Sequence, residues 1–308
     1  MAPDTAPAAP SEGGEPAEAP APPAAAAHDE KAAAPPAEGS APPTAAAADG
    51  AVKRGRDAAG GGDKQDKKRR KAAEEEVEAI SRVVMKPGDA QALRAGLSGT
   101  LVTCPTMHER RAVVHVTKAL ASVLPADCEL TPTATGCGGC FLLLGHPGKE
   151  VATVDACSRL VLTTAEPTGG RAARVFPVQA TCSVTAEALL AAAQALTAAR
   201  LQAHPLGEGT TFTFAVLYHT RGHLDASDKL ERTLAVKAVA SGVEAACAAA
   251  GVKHKVNLSE PGAALMVDVL PVTLPGGKSC VTAALALLPA ALLTFRPKLA
   301  ARPVCIGQ

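Results

Sequence analysis

From about Gly96 onward, apolar residues recur along the chain in two rhythms, one helical and one strictly alternating. Thr100–Cys104 is a short β-like run closed by Pro105. His108–Leu124 carries Val113, Val116, Leu120 and Leu124 three or four residues apart, the spacing of one helical face, and Pro125 closes it. A second strand falls near Cys128–Thr135, and Phe141–Leu144 is an apolar run bracketed by Gly138-Gly139 and Gly145. Lys149–Leu162 reads as helix and Arg174–Cys182 as extended chain. Strand–helix–strand–strand–helix–strand is the order of a small ferredoxin-like α+β unit.

The second half has its own set. Thr185, with Glu187 in the first turn, opens an Ala- and Leu-rich helix through about Ala203. Thr211–Tyr218 alternates and places Phe212, Phe214, Val216 and Tyr218 on one face of a strand. Asp225–Ser227 are positioned to cap a long helix with Leu230, Leu234, Val239, Val243 and Cys247 at helical spacing, ended by Gly251. Lys255–Leu258 and Ala264–Leu274 read as strands, and Val281–Leu293 as a last helix interrupted at Pro289. The apolar run Val281–Phe295 is too short to cross a bilayer, so it is expected in a buried core, and no membrane partner is expected.

Composition separates the N-terminal region from all of this. Residues 1–50 are dominated by Ala and Pro and lack Phe, Tyr, Trp, Ile, Leu and Val, so they have nothing to bury against the entropy of ordering. Residues 1–85 are therefore expected to be a mostly disordered tail, with a short helix over Ala72–Val84. Net charge is +1, but from Lys53 to Lys71 nine Lys or Arg face three Asp. Lys53-Arg54 and Lys67-Lys68-Arg69-Arg70-Lys71 have the separation of a bipartite nuclear import signal. They could equally touch phosphates or be a solvated charge run. Nine cysteines in apolar contexts, without a signal-peptide pattern, point to a reducing compartment.

Catalytic patterns are scarce. Gly277-Lys278-Ser279 has the end of a phosphate-binding loop, but Val272 stands where that pattern needs Gly. Cys137-Gly-Gly-Cys140 has metal-ligand spacing, flanked by Cys128 and His146, but no second close Cys or His pair follows, and two ordinary loop cysteines fit as well. His108, His204, His219 and His223 lack identifiable partners. No cofactor, no metal and no small-molecule substrate is expected. Binding groups are better supported. Arg221 and His223 follow a strand directly, before a helix carrying Lys229, Arg232 and Lys237. Lys253, His254, Lys255 and Asn257 fall between that helix and the next strand. Such loops hold binding groups, and Lys and Arg there would neutralise phosphates. One Tyr and five Phe leave little for base stacking, so shape and backbone recognition is the consistent mode.

Five segments, in order, resemble one family. They are Gly96–Cys104 (GLSGTLVTC) followed by Glu109-Arg110-Arg111, Arg174–Ser183 (RVFPVQATCS), Phe214–Arg221 (FAVLYHTR), His254–Pro261 (HKVNLSEP) and Ala264–Val269. The chain resembles the eukaryotic and archaeal THUMP-containing adaptors of tRNA cytidine acetylation. The resemblance implies a ferredoxin-like domain over residues 95–170 and a THUMP domain over 171–300. It implies a non-catalytic protein that presents serine and leucine tRNAs to a separate cytidine acetyltransferase, which makes N4-acetylcytidine in the D-arm. RNA-binding roles transfer to Arg221, Lys255 and Asn257, with Arg110 and Arg174 as further positions. The pattern departs at Pro271–Lys278, where relatives continue a strand with a basic residue. The expected location is the nucleus or nucleolus. Two other readings stand beside this one: an RNA-modifying enzyme with a degenerate site using Cys137, Cys140 or His108, and an interaction protein of ribosome biogenesis.

Overall fold

Strands β1 (Gly99–Thr103), β2 (Thr131–Ala134), β3 (Cys140–Leu144) and β4 (Ala173–Val178) form an antiparallel sheet in the order β4-β1-β3-β2 in this computed structural model. Residues 62–163, 173–207, 209–225, 230–294 and 299–306 are described, all within one unit, Ala58–Gln308. Helices α3 (Glu109–Ala121) and α4 (Thr153–Thr163) make the two crossovers, so the order is ferredoxin-like. The helical face foreseen on Val113, Val116 and Leu120 packs with Ala156, Cys157 and Leu160 of α4 over Val102, Phe141, Leu143 and Val175.

A second sheet runs β5-β9-β8-β6-β7, from β5 (Ala180–Cys182), β6 (Phe212–Thr220), β7 (His254–Val256), β8 (Ala263–Thr273) and β9 (Ser279–Pro289). β6 lies parallel to β7 and β8, while β8 and β9 form an antiparallel hairpin of 11 residue pairs. Helices α5 (Ala186–Ala203) and α6 (Arg232–Ala249) cover one face, where Leu189, Val239 and Val243 meet Phe212, Phe214, Leu265, Val267 and Leu285. The opposite face is not left to water. Ala215, Leu217, Ala264, Met266, Ala286 and Leu288 join the core of the first sheet. Leu270, Val272 and Ala284 meet Leu101, Leu142 and Leu144 in a third cluster. The architecture is therefore mixed α+β, with two sheets sharing an interior.

That sharing corrects one expectation. Val281–Leu293 is not a helix: it is β9 through Pro289, then a short 3-10 turn and strand β10 (Leu293–Thr294), paired with β11 (Ala300–Ala301). Because β9 is covered on both faces, its sequence has no polar alternation to mark it as a strand. The Pro271–Lys278 departure is the end of β8 and the hairpin turn at Pro275–Gly277. The long helix also starts later than expected. Glu231, not Asp225–Ser227, is its N-cap, accepting from the N–H groups of Thr233 and Leu234 at 2.9 and 3.0 Å.

The segment Arg174–Ser183 carries the chain from one sheet to the other. β4 ends at Val178, and Gln179 bridges by accepting from Leu287 N at 2.7 Å through its side chain. Thr181 then donates to Leu93 O at 2.7 Å and accepts from Leu97 N at 2.9 Å, tying helix α2 (Ala90–Ala95) to β5. β4 thus belongs to the first sheet, beyond the expected boundary at residue 170. A late strand, β12 (Val304–Ile306), adds to that sheet beside β4. Residues 62–82, expected within the disordered tail, form helix α1 (Gly62–Arg82), which extends the expected Ala72–Val84 helix toward its N-terminus. Glu76 docks it on α3, accepting from Arg111 Nε at 2.8 Å and meeting His115 Nε2 at 3.2 Å. The rest of the tail, including Lys53 and Arg54, lies outside the described residues. Among the described residues, no helix is long and apolar enough to cross a membrane.

Close helix packing gives a test. A Cβ on Gly242 in α6 would lie 2.4 Å from Leu190 O of α5, and backbone cannot yield as a flexible side chain would. Gly242→Ala is expected to destabilise the protein by about 1–3 kcal/mol through overpacking. Thermal denaturation reads it; an unchanged midpoint would show that α5 and α6 approach less closely.

Candidate nucleic-acid interface

The basic residues singled out in the sequence separate into two places. Lys253, His254 and Lys255 are exposed in succession at and just before β7, the edge strand of the second sheet. Lys255 pairs in register with Thr213 near the start of β6, whereas Arg221 lies one residue beyond its end. Eight residues of extended strand separate the two levels, roughly 25 Å. Arg232, the first residue of α6, is exposed, as are His223 and Lys237. Arg110 is exposed on the first turn of α3, and Arg174 is exposed in β4. Lys229 lies outside the described residues. Lys67–Lys71 are exposed along α1.

Two of the expected contacts carry local duties. Asn257 Oδ1 accepts from the N–H groups of Ser259 and Glu260, both at 3.0 Å, and its Nδ2 donates to Glu260 O at 2.9 Å. The side chain thereby builds the turn between β7 and β8. Arg221 is committed more deeply. Its Nε donates to Asp268 Oδ1 at 2.6 Å, and its guanidinium lies 5.1 Å from the ring centroid of Phe176 in β4. Asp268 has no exposed surface, while the Arg221 side chain keeps 25% of its own. Both residues of the pair belong to the second sheet, and the Phe176 stack is what reaches the first; His219 Nδ1 lies 3.9 Å from the same carboxylate oxygen. Burial holds the Asp268 carboxyl above its ordinary value, against the opposing pull of Arg221 and His219. Arg174 and Phe176 lie on the same face of β4, so Arg174 is one strand repeat from the Arg221 stack.

No family model and no curated protein sequence matches the chain. Among solved structures it is similar to PH1313 from Pyrococcus horikoshii Ot3, at 10% identity over 62% of this chain and 55% of that one, with a TM-score of 0.37. It is also similar to TrmN from Thermus thermophilus, at 17% identity over 67% of this chain and 46% of that one, with a TM-score of 0.32. The chain spans about half the length of each. At these scores the likeness carries no argument about what this chain does.

The N-terminus of α6, the helix that follows Arg221 in the chain, is already capped. Glu231 accepts from the N–H groups of Thr233 and Leu234, and the Thr233 side chain, followed by those two N–H groups, holds its carboxyl below the ordinary value. An incoming phosphate would have to displace a carboxylate there, so exposed side chains are the groups left to meet one.

Asp268 and Phe176 escaped the sequence reading. The signal for Asp268 was present, a single acid inside the apolar run Ala264–Leu274; an isolated charge in a two-face-buried strand calls for a buried partner. Cys137 and Cys140 lie at the same joint. The Cys137 side chain abuts the loop after Arg221, since a Cβ on Gly222 would fall 2.4 Å from its sulfur. The hydrogen bond from Cys140 pulls the Cys137 thiol down to about 7; Thr135 and the Arg221 guanidinium add to the shift, and burial opposes it. The same contact, then burial, pushes the Cys140 thiol up. Among the described residues, no cluster of His, Cys, Asp and Glu has the geometry to hold a metal ion.

Removing one partner of a buried pair strands the other. Arg221→Ala is expected to cost about 3–5 kcal/mol of stability, and Arg221→Met/Asp268→Val to recover most of it. Urea denaturation of the three proteins decides; an undiminished stability in Arg221→Ala would mean that water reaches Asp268. Cys137 alkylation by iodoacetamide should rise through a midpoint near pH 7, with Cys140 and Arg221 the ionisable groups that act on the thiol. A midpoint near that of an ordinary thiol would show that its neighbours do not hold the thiolate.

Proposed function

We propose that this chain is a non-catalytic tRNA-binding adaptor, a ferredoxin-like unit joined to a THUMP domain, which presents tRNA to a cytidine acetyltransferase for N4-acetylcytidine formation. The observation that carries the reading is the exposed row Lys253-His254-Lys255 at the edge strand β7, of which His254 and Lys255 open the segment His254–Pro261 that resembles the adaptors' own. Phosphate contacts need cationic side chains that are free to move into register with a backbone, and these are.

The rest of the chain is consistent with that role. The segments that carry the resemblance do structural work where they are not basic: Thr181 fastens α2, Asn257 builds a turn, and Glu109 accepts from Gly139 N at 2.6 Å. Lys253 and Lys255 would grip phosphates at one end of the second sheet, and Arg174, Arg232 and Arg110 would meet the RNA elsewhere. Arg221 would contribute through the part of its guanidinium not held by Asp268. Serine and leucine tRNAs are the proposed substrates of the partner enzyme. The adaptor would raise its rate by holding the acceptor cytidine in place. The exposed bases of α1, with Lys53 and Arg54, would direct the protein to the nucleus.

Arg221 is a poor probe of this because its removal unsettles the fold, so the test falls on exposed groups. Binding of tRNA is compared with binding of a hairpin of equal length at near-physiological salt. The proteins are the full chain, Lys253→Ala/Lys255→Ala, and a variant with residues 67–71 neutralised to Ala. Lys253→Ala/Lys255→Ala is expected to lose tRNA affinity and to reduce the salt slope by about 1 per lost phosphate contact, with its melting temperature unchanged. Binding that ignores RNA shape, or that disappears only in the 67–71 variant, would overturn the interface. Adding the chain to the acetyltransferase with serine tRNA should raise N4-acetylcytidine yield; no rise would overturn the adaptor role.

A further inference from the structure

Cys137 and Cys140 occupy the first and last positions of a tight turn, in which Cys140 N donates to Cys137 O at 3.2 Å. Such a turn brings its end Cα atoms to within about 7 Å, which overlaps the range of about 4.4–6.8 Å that a disulfide spans. The two side chains act on each other, and the Cys137 sulfur is fixed against the loop after Arg221, where a Cβ on Gly222 would fall 2.4 Å from it. Gly139, at the third position with φ +71°, lets the chain turn back, and a Cβ there would fall 2.3 Å from Cys104 O. The turn is held from outside as well. Gly139 N donates to Glu109 Oε1, Gly139 O accepts from Cys104 N at 2.8 Å, and the Thr135 hydroxyl donates to Cys140 O at 2.6 Å.

The setting has polarity as well as geometry. Cys137 is half-buried at the protein surface and Cys140 is buried behind it. The Arg221 guanidinium lies within Coulombic reach of both, anchored by Asp268, whose second oxygen is buried without a hydrogen-bond partner in the protein. A cationic group beside a partly exposed sulfur, with a second sulfur behind it, is the arrangement that favours attack by the first and resolution by the second. Burial pushes the thiols of Cys104, Cys128, Cys157, Cys182, Cys247 and Cys280 up.

We propose that Cys137 and Cys140 form a redox-active thiol pair, with Cys137 the attacking and Cys140 the resolving sulfur, oxidised by low-molecular-weight disulfides of the glutathione type. The Cys137 thiolate attacks one sulfur of the oxidant, whose S–S bond breaks. One thiol leaves as thiolate and takes up a proton. The Cys140 thiol then loses its proton to solvent, and its sulfur attacks Cys137 Sγ. The mixed disulfide breaks and releases the second thiol. Two protein thiols are oxidised and one external disulfide is reduced to two thiols. The bond closes within the turn against Gly222, so the oxidised state is set at the joint that bears Arg221, independently of any RNA site.

The test uses the full chain equilibrated with oxidised and reduced glutathione at graded ratios, acid-quenched, alkylated, digested and read by mass spectrometry. A Cys137–Cys140 linkage is expected before any other cysteine is modified. Cys140→Ser should stop at a glutathione adduct on Cys137, and Cys137→Ser should leave Cys140 unmodified. If both cysteines stay reduced at ratios where Cys104, Cys128 or Cys305 is already modified, the proposal falls. It falls equally if Cys140→Ser collects no more adduct at Cys137 than at those three. Because the wild-type linkage is read directly, a variant that fails to fold does not shelter the idea.

Discussion

The hairpin of β8 and β9 is buried on both faces, and most of the structure is a response to that requirement. Two adjacent 11-residue strands expose almost no side-chain surface. Backbone pairing satisfies their N–H and C=O groups along the shared edge, but the side chains need cover above and below. α5 and α6 supply one cover, closely enough that Gly242 has no room for a Cβ. The first sheet supplies the other, with Leu101, Leu142 and Leu144 against Leu270, Val272 and Ala284. A ferredoxin-like sheet with only its α3–α4 side covered would leave an apolar face in water; here that face meets the second sheet.

Among the described residues, a carboxylate enters this interior at one place. Asp268 is the single ionisable residue among the fully covered polar groups of the described residues, and Arg221 reaches it from the end of the neighbouring strand. A buried carboxylate fixes the position of its partner, so Arg221 is held against Phe176 and thereby against the first sheet. The turn with Cys137 and Cys140 presses on the adjacent Gly222 and accepts Gly136 beside Pro271, whose carbonyl takes the Gly136 N–H at 3.0 Å. The contacts at this joint are therefore electrostatic and covalently modifiable, while those deeper between the sheets are apolar.

This division bears on the proposed binding role. Groups that hold the fold are poorly placed to be exchanged for contacts with a partner, because each is already hydrogen-bonded. Exposed groups available to a polyanion are those on edges and helix surfaces: Lys253 and Lys255 at the outer strand, Arg232 at the start of α6, Arg174 in β4 and Lys67, Lys68, Arg69 and Arg70 of α1. Spread over more than one end of the sheet, they suit recognition of a large shaped RNA rather than of a short single strand.

Local pattern was enough for elements with one face in water. The helical period of α3 can be read directly, because it needs to hide only one side, and the Phe212–Tyr218 alternation marks β6 as a strand although Ala215 and Leu217 are buried on its other face. The strand order of the ferredoxin-like unit follows from the element order along residues 99–178. β9 could not be read this way. With both faces covered, its Ala- and Leu-rich run matches a buried helix as well as a strand, and only its pairing with β8 decides. The site divides likewise. Sequence marks Lys253 and Lys255 as exposed bases, since they fall in the connection between a helix ended by Gly251 and the next strand, where no burial is implied. It marks Arg221 as one more basic loop residue, although a carboxylate 47 positions later holds it in place. The chain alone thus determined which side chains carry charge; the packing of one sheet on the other decided which of those charges remain free to bind.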